Sequence, residues 1–130
     1  QLERLGTFVE RRRATYAAYK DALKDVPGIE FMPEASYGRC THWLTCLTVD
    51  PSLSGGVRSE DILKALAQNG IEARPVWKPL HMQPLFAGAE CVGGQVAERL
   101  FANGVCLPSG SGVTPESQGR VIDVVRGCFN

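Results

Sequence analysis

The sequence predicts an α/β (α+β) domain, a two-layer sandwich in which a small sheet carries helices packed on one side. Three observations lead there. Apolar residues recur at three- and four-residue steps near the start, around residue 62 and near the end, the period of amphipathic helices. Short runs of branched and aromatic residues lie between them, strongest over Trp43–Val49. The order is helix, strand, helix, strand, loop, helix, strand, helix. No repeat or Pro/Ser-rich linker interrupts it, so 130 residues are expected to form a single domain, 1–130.

The first helix is marked by Leu2, Leu5, Phe8, Val9, Tyr16, Tyr19, Leu23 and Val26, which the period stacks on one face. Pro27-Gly28 ends it. A helix over 1–26 is long, and helices of this length often join two domains. Ile29–Met32 is a short extended piece, and Glu34–Cys40 a loop. In Trp43–Val49 the apolar Trp43, Leu47 and Val49 alternate with threonines, and Asp50-Pro51 stops the strand. The second helix starts at Ser59, a residue type that caps free N–H groups, with Glu60 and Asp61 suited to the dipole. Ile62, Leu63, Leu66 and Ala67 form its apolar face, and Asn69-Gly70 closes it.

Ile71–Arg74 alternates as a strand, and Pro75 keeps Arg74 extended. From Val76 to Gly94 prolines and glycines break every regular pattern. Gln95–Asn103 is a short helix with Val96, Leu100 and Phe101 inward, closed again by Asn-Gly. Val105–Leu107 is a strand. Thr114-Pro115-Glu116 starts the last helix with a cap, a proline at the first position and an early acid, and Val121, Ile122, Val124 and Val125 line it.

Fourteen basic and fourteen acidic residues give no net charge, so the chain as a whole has no pull toward nucleic acid or anionic lipid. No apolar stretch is long enough to cross a bilayer and nothing resembles a signal peptide. Five cysteines at irregular spacings argue against a disulfide framework and for a reducing cytoplasm. The chain opens at Gln1 directly in a helical pattern, which is the expectation for a piece of a longer polypeptide.

Chemistry concentrates in Arg74-Pro75-Val76-Trp77-Lys78-Pro79-Leu80-His81-Met82-Gln83-Pro84. Prolines stiffen this stretch, and long ordered loops in compact domains are usually functional. Arg74 and Lys78 suit phosphates, Trp77 a base or sugar face, and His81 a sugar hydroxyl, a keto oxygen or a proton. The competing reading packs Trp77, Leu80 and Phe86 on the domain and leaves the charges in water. Arg11-Arg12-Arg13 points three ways around a helix and reads as solvated or paired with acids. Cys40, His42 and Cys46 have the ligand types for zinc but not a zinc-site spacing. Cys46, Cys106 and Cys128 read as small buried hydrophobes. Gly93-Gly94 and Ser109-Gly110-Ser111-Gly112 lack the phosphate-loop pattern.

The Arg74–Pro84 stretch resembles the "RP-x-W-K-P-x-H-x-Q-P" segment of the DegT/StrS-type sugar aminotransferases. Gln1–Leu5 with Arg11–Arg13 resembles that family's helix between large and small domains. Asn69-Gly70-Ile71-Glu72 is similar to its "GIE-x-RP" lead-in. Leu107-Pro108-Ser109 with Val113-Thr114 is similar to its "LPS…LT" stretch. The resemblance covers nearly the whole chain. It implies the C-terminal small domain of a fold-type I, pyridoxal-phosphate (PLP) dependent homodimer, docked on its own N-terminal large domain. Glutamate would donate the amino group to a keto sugar on a nucleotide; the Trp-Lys-Pro form is similar to members that use UDP-linked 4-keto-6-deoxy N-acetyl sugars. It also implies substrate contact by Trp77, Lys78 and His81, and more weakly by Arg74, Met82 and Gln83.

The PLP lysine of the family lies in the large domain, as do its main PLP-binding groups. Lys20, Lys24 and Lys64 fall on polar helix faces and Lys78 in the substrate motif. No catalytic residue is therefore expected in this chain, and the chain alone is expected to be inactive. Two other readings compete: a free-standing α/β ligand-binding or regulatory module, and a structural dimerisation domain.

Overall fold

The computed structural model describes residues 2–129. A turn of 3-10 helix at Leu2–Arg4 leads into α1 (Leu5–Leu23), followed by β1 (Ile29–Phe31), β2 (Thr45–Val49) and α2 (Ser59–Gln68). Then come β3 (Arg74–Pro75), α3 (Gln95–Asn103), β4 (Gly104–Leu107) and α4 (Pro115–Gly127). The strands form one antiparallel sheet in the order β1-β2-β4-β3. Two-layer packing with helices on the sheet is thus as the sequence predicts.

The core is continuous from α1 through the sheet to α2 and α4. Tyr19 and Leu23 of α1 meet Leu47 and Val49, Val105 and Leu107, Ile62 and Leu66, and Val121 and Val125. Most of these side chains are fully buried. Each contributes about 1.5 to 3 kcal/mol relative to exposure, so this cluster sets the register of every helix around it.

Several elements differ from the sequence expectation. The first helix stops at Leu23, and turns carry the chain to Val26, which is still buried. Its apolar face is buried only from Thr15 onward; Leu2 and Leu5 are exposed. The strand expected at Trp43 begins at Thr45, and Thr45 lies on the core side with Leu47 and Val49. Residues 71–74 do not form a full strand: only Arg74 and Pro75 pair, opposite Cys106 and Val105. At a sheet edge the missing N–H of Pro75 costs nothing.

Ser59 is the first helical residue rather than the cap, and its hydroxyl donates to the Ala102 carbonyl at 2.9 Å, tying α2 to α3. Ala67 is exposed. The Asn69-Gly70 cap holds, with Gly70 at φ +69°, but Gly104 is extended and opens β4 directly. The α3 residues expected inward are not buried; Val96 and Leu100 are exposed and Phe101 is half-buried. Thr114 caps α4, accepting from the Ser117 N–H at 3.2 Å. Gly28 is needed at its place: its φ is +79°, and a Cβ there would lie 2.7 Å from the Asp50 carbonyl oxygen.

Candidate functional site

The segment before β2 is held by α1. Arg12 donates to the Trp43 carbonyl at 2.6 Å. Arg13 forms a two-pronged pair with the Glu34 carboxylate at 2.9 and 3.1 Å and also donates to the Cys40 carbonyl. The Arg13 guanidinium and the Cys40 N–H hold the Glu34 carboxyl down at about 2. Behind them His42 is buried, at φ +47°, with its ring stacked 3.7 Å from that of Tyr16. Burial, with Arg13 nearby, lowers its pKa and favours the neutral ring. The arginine run is thus partly a clamp on residues 34–43, with Arg11 alone left exposed.

That clamp presents Trp43 to the edge of the sheet. Its indole lies 6.1 Å from that of Trp77, the planes tilted by 32°, and each tryptophan is 63% exposed. The two rings stand on the wall of an open cavity of about 640 Å³. Arg74 and Lys78 line it from β3 and the following loop, Arg12 from α1, Phe101 from α3, and Cys106 to Gly110 from β4 and its exit. Ser109, which is buried, accepts from the Thr45 N–H at 3.1 Å, and the Tyr19 hydroxyl donates to the Pro108 carbonyl at 3.0 Å. These bonds fix the floor to the core.

Arg74 also donates to Glu72, at 2.5 and 3.0 Å, so its charge is locally balanced. Lys78 makes no ion pair among the described residues. The cavity therefore offers two aromatic faces and an unspent cation, suited to a flat ring joined to an anion.

The structure brings Arg74, Trp77 and Lys78 together on this cavity. His81, Met82 and Gln83 are not on its wall. Two 3-10 turns, Leu80–Met82 and Pro84–Phe86, form within the stretch expected to be loop. His81 pairs with Glu98 of α3 at 2.8 Å and packs against Gly94, where a Cβ would fall 2.9 Å from its ring. Gln83 donates to the Lys78 carbonyl at 3.2 Å, bracing the backbone at Lys78, and Met82 is 40% exposed. Trp43, Arg12 and Ser109 also stand on this wall, where the sequence points only to a strand residue, a solvated or paired arginine and a loop serine. Cys40, His42 and Cys46 form no metal cluster among the described residues.

A model described as the DegT/DnrJ/EryC1/StrS aminotransferase family matches residues 1–126. The chain belongs to this family. EpsN of Bacillus subtilis, assigned as a pyridoxal phosphate-dependent aminotransferase, is 48% identical over 134 residues, covering 100% of this chain and 34% of its own length. GDP-perosamine synthase of Caulobacter vibrioides is 28% identical over 94% of this chain and 33% of its own. The crystal structure of DesI in the presence of its TDP-sugar product is 25% identical, with a TM-score of 0.87, over 98% of this chain and 33% of that one. The chain thus spans about a third of the length of the relatives it matches.

DegT-family aminotransferases use PLP, but the residues of this chain do not fit that cofactor. Lys78 is the one lysine on the cavity wall, and the one carboxylate there, Glu72, is taken up by Arg74. Lys24 is paired with Asp21 at 2.6 Å, and Lys20 sits over the Tyr16 ring. The cavity wall thus holds no carboxylate free to face a pyridine nitrogen.

Proposed function

We propose that this chain is the C-terminal domain of a PLP-dependent aminotransferase that moves an amino group from glutamate to a nucleotide-linked keto sugar. The observation that carries this reading is the Trp43–Trp77 pair beside Lys78 and Arg74 in one cavity, on a chain of a sugar aminotransferase family. The relatives named for GDP-perosamine and for a TDP-sugar product support a nucleotide-sugar substrate.

In this reading the chain binds and orients. The indoles stack on the flat part of the ligand and keep water from it. Lys78 and Arg74 meet its phosphates, the bidentate guanidinium adding direction. His81, fixed by Glu98, bonds the sugar, and Met82 and Gln83 support the loop. PLP, its lysine and the proton transfers belong to an N-terminal large domain of the same polypeptide. The whole enzyme works as a cytoplasmic homodimer, and UDP-4-keto-6-deoxy-N-acetylhexosamine is the substrate the Trp-Lys-Pro motif favours.

The test is an absorption spectrum of the full polypeptide with PLP, before and after glutamate, with residues 1–130 run beside it. An aldimine band in the full polypeptide that glutamate bleaches, and none in the shorter chain, supports the reading. No such band in the full polypeptide makes the domain a ligand-binding module instead.

A further inference from the structure

Cys46 and Cys106 occupy directly opposite positions on β2 and β4, with their sulfurs 3.5 Å apart. The hydrogen-bond register says what kind of opposition this is. Met32 N–H donates to the Cys46 carbonyl at 3.2 Å and Asp50 N–H to that of Gly28 at 2.8 Å, so residues 46, 48 and 50 turn their backbone groups toward β1. Val76 N–H donates to the Gly104 carbonyl at 3.3 Å, so 104 and 106 turn theirs toward β3. Between β2 and β4, therefore, Cys46 and Cys106 form a non-hydrogen-bonded pair.

In such a pair the Cα atoms stand about 4.5 Å apart and the side chains are closest. That lies just inside the span of about 4.4 to 6.8 Å that a disulfide bridges. The sulfurs need to approach by about 1.5 Å to reach disulfide length, a movement within reach of side-chain rotation. The contact between the two sulfurs pushes the Cys46 thiol up and pulls that of Cys106 down, to about 7, while burial opposes thiolate formation at both. A second thiolate 3.5 Å from a first is strongly suppressed by their repulsion, so the pair loses one proton at a time.

Thr45, Leu47 and Val49 point into the core, so Cys46 and, across from it, Cys106 lie on the outer face of the sheet. Cys46 is partly exposed and Cys106 lines the tryptophan cavity. Cys106 itself is buried, so a small oxidant reaches the pair at Cys46 or from the cavity.

We propose that Cys46 and Cys106 are a modification site at which a small-molecule disulfide of the glutathione class closes a reversible cross-strand bond in the cavity wall. The thiolate of one cysteine attacks a sulfur of the oxidant, expelling one thiol and leaving a mixed disulfide. The second cysteine, giving up its proton, attacks the protein sulfur of that mixed disulfide and expels the other thiol. Two protein thiols are oxidised, one glutathione disulfide is reduced, and both protons leave on the released thiols. The site is independent of the aminotransferase reading, because it rests on sheet register alone.

The test equilibrates the folded, full polypeptide with oxidised and reduced glutathione at several ratios, traps free thiols with an alkylating agent in acid, and maps the peptides with fragmentation that separates Cys46 from Cys40. A peptide joining Cys46 to Cys106 that dithiothreitol releases, and that Cys46→Ser and Cys106→Ser each abolish, is expected. Single glutathione adducts without the cross-link, a bond from Cys106 to Cys40 or Cys91, or a cross-link formed only in denaturant overturns the proposal. The unsubstituted protein decides the matter even if a variant does not fold.

Discussion

Trp43 and Trp77, thirty-four positions apart in the sequence, meet with ring centroids 6.1 Å apart at the rim of one cavity. One is set by an arginine of α1 and the other by a proline-pinned loop. Stacking of a base on an aromatic side chain contributes about 1 to 3 kcal/mol. Trp43→Ala in the full polypeptide is therefore expected to weaken binding of a nucleotide-linked sugar roughly 5- to 150-fold, read by titration calorimetry. Unchanged affinity would remove Trp43 from the site.

Among the described residues Lys78 makes no ion pair, and Arg12 on the same wall donates only to the Trp43 carbonyl, whereas Arg74 shares its charge with Glu72. Lys78→Ala should weaken nucleotide-sugar binding more than Arg74→Ala, and should flatten its dependence on salt. The comparison needs only affinities at two ionic strengths. A larger loss from Arg74→Ala would show that Glu72 releases its partner to the ligand.

His81 is off the cavity wall and fixed by Glu98 at 2.8 Å. His81→Ala in the full polypeptide should lower kcat/KM for the keto sugar while PLP still binds. Glu98→Gln, which keeps a hydrogen-bond partner, should do so less. Equal kcat/KM in wild type and His81→Ala would leave the His81–Glu98 pair a loop fastener only.

The Thr45 hydroxyl oxygen is buried without a hydrogen-bond partner among the described residues. A buried unsatisfied group costs about 1 to 3 kcal/mol. Thr45→Val keeps the branched shape that suits β2 and removes the hydroxyl, so it should stabilise the domain by about 1 kcal/mol. The urea midpoint should rise with no change in slope; a fall would mean that the hydroxyl has a partner in solution.

Glu34 is held at about 2, against an ordinary 4.5, by Arg13 and the Cys40 N–H. A depressed carboxyl stabilises the fold fully above the unfolded value and loses that contribution as pH falls through the folded one. Stability from this group should thus decline between about 4.5 and about 2. Glu34→Gln should show a shallower decline in that window. An identical slope in both proteins would separate the Arg13 clamp from acid sensitivity.

Most segments that become helix or strand are legible in the sequence, residues 71–73 excepted, because hydrophobic period, caps and turn residues are local. Tyr19, Leu23, Ile62, Leu66, Val121 and Val125 are legible as core from spacing alone, and all are buried. The motif from Arg74 to Pro84 was visible too, being contiguous. Where strands begin and which residues share a wall depend instead on partners distant in the chain. β2 starts at Thr45 rather than Trp43 because the ladder with β4 reaches only to Leu107, and Arg12 holds the Trp43 carbonyl instead. The exposed face of α3 and the opposition of Cys46 to Cys106 are likewise set by partners far along the chain. Periodicity says which side of an element is apolar, but it says nothing of what stands opposite, and that pairing is where both the cavity and the thiol pair arise.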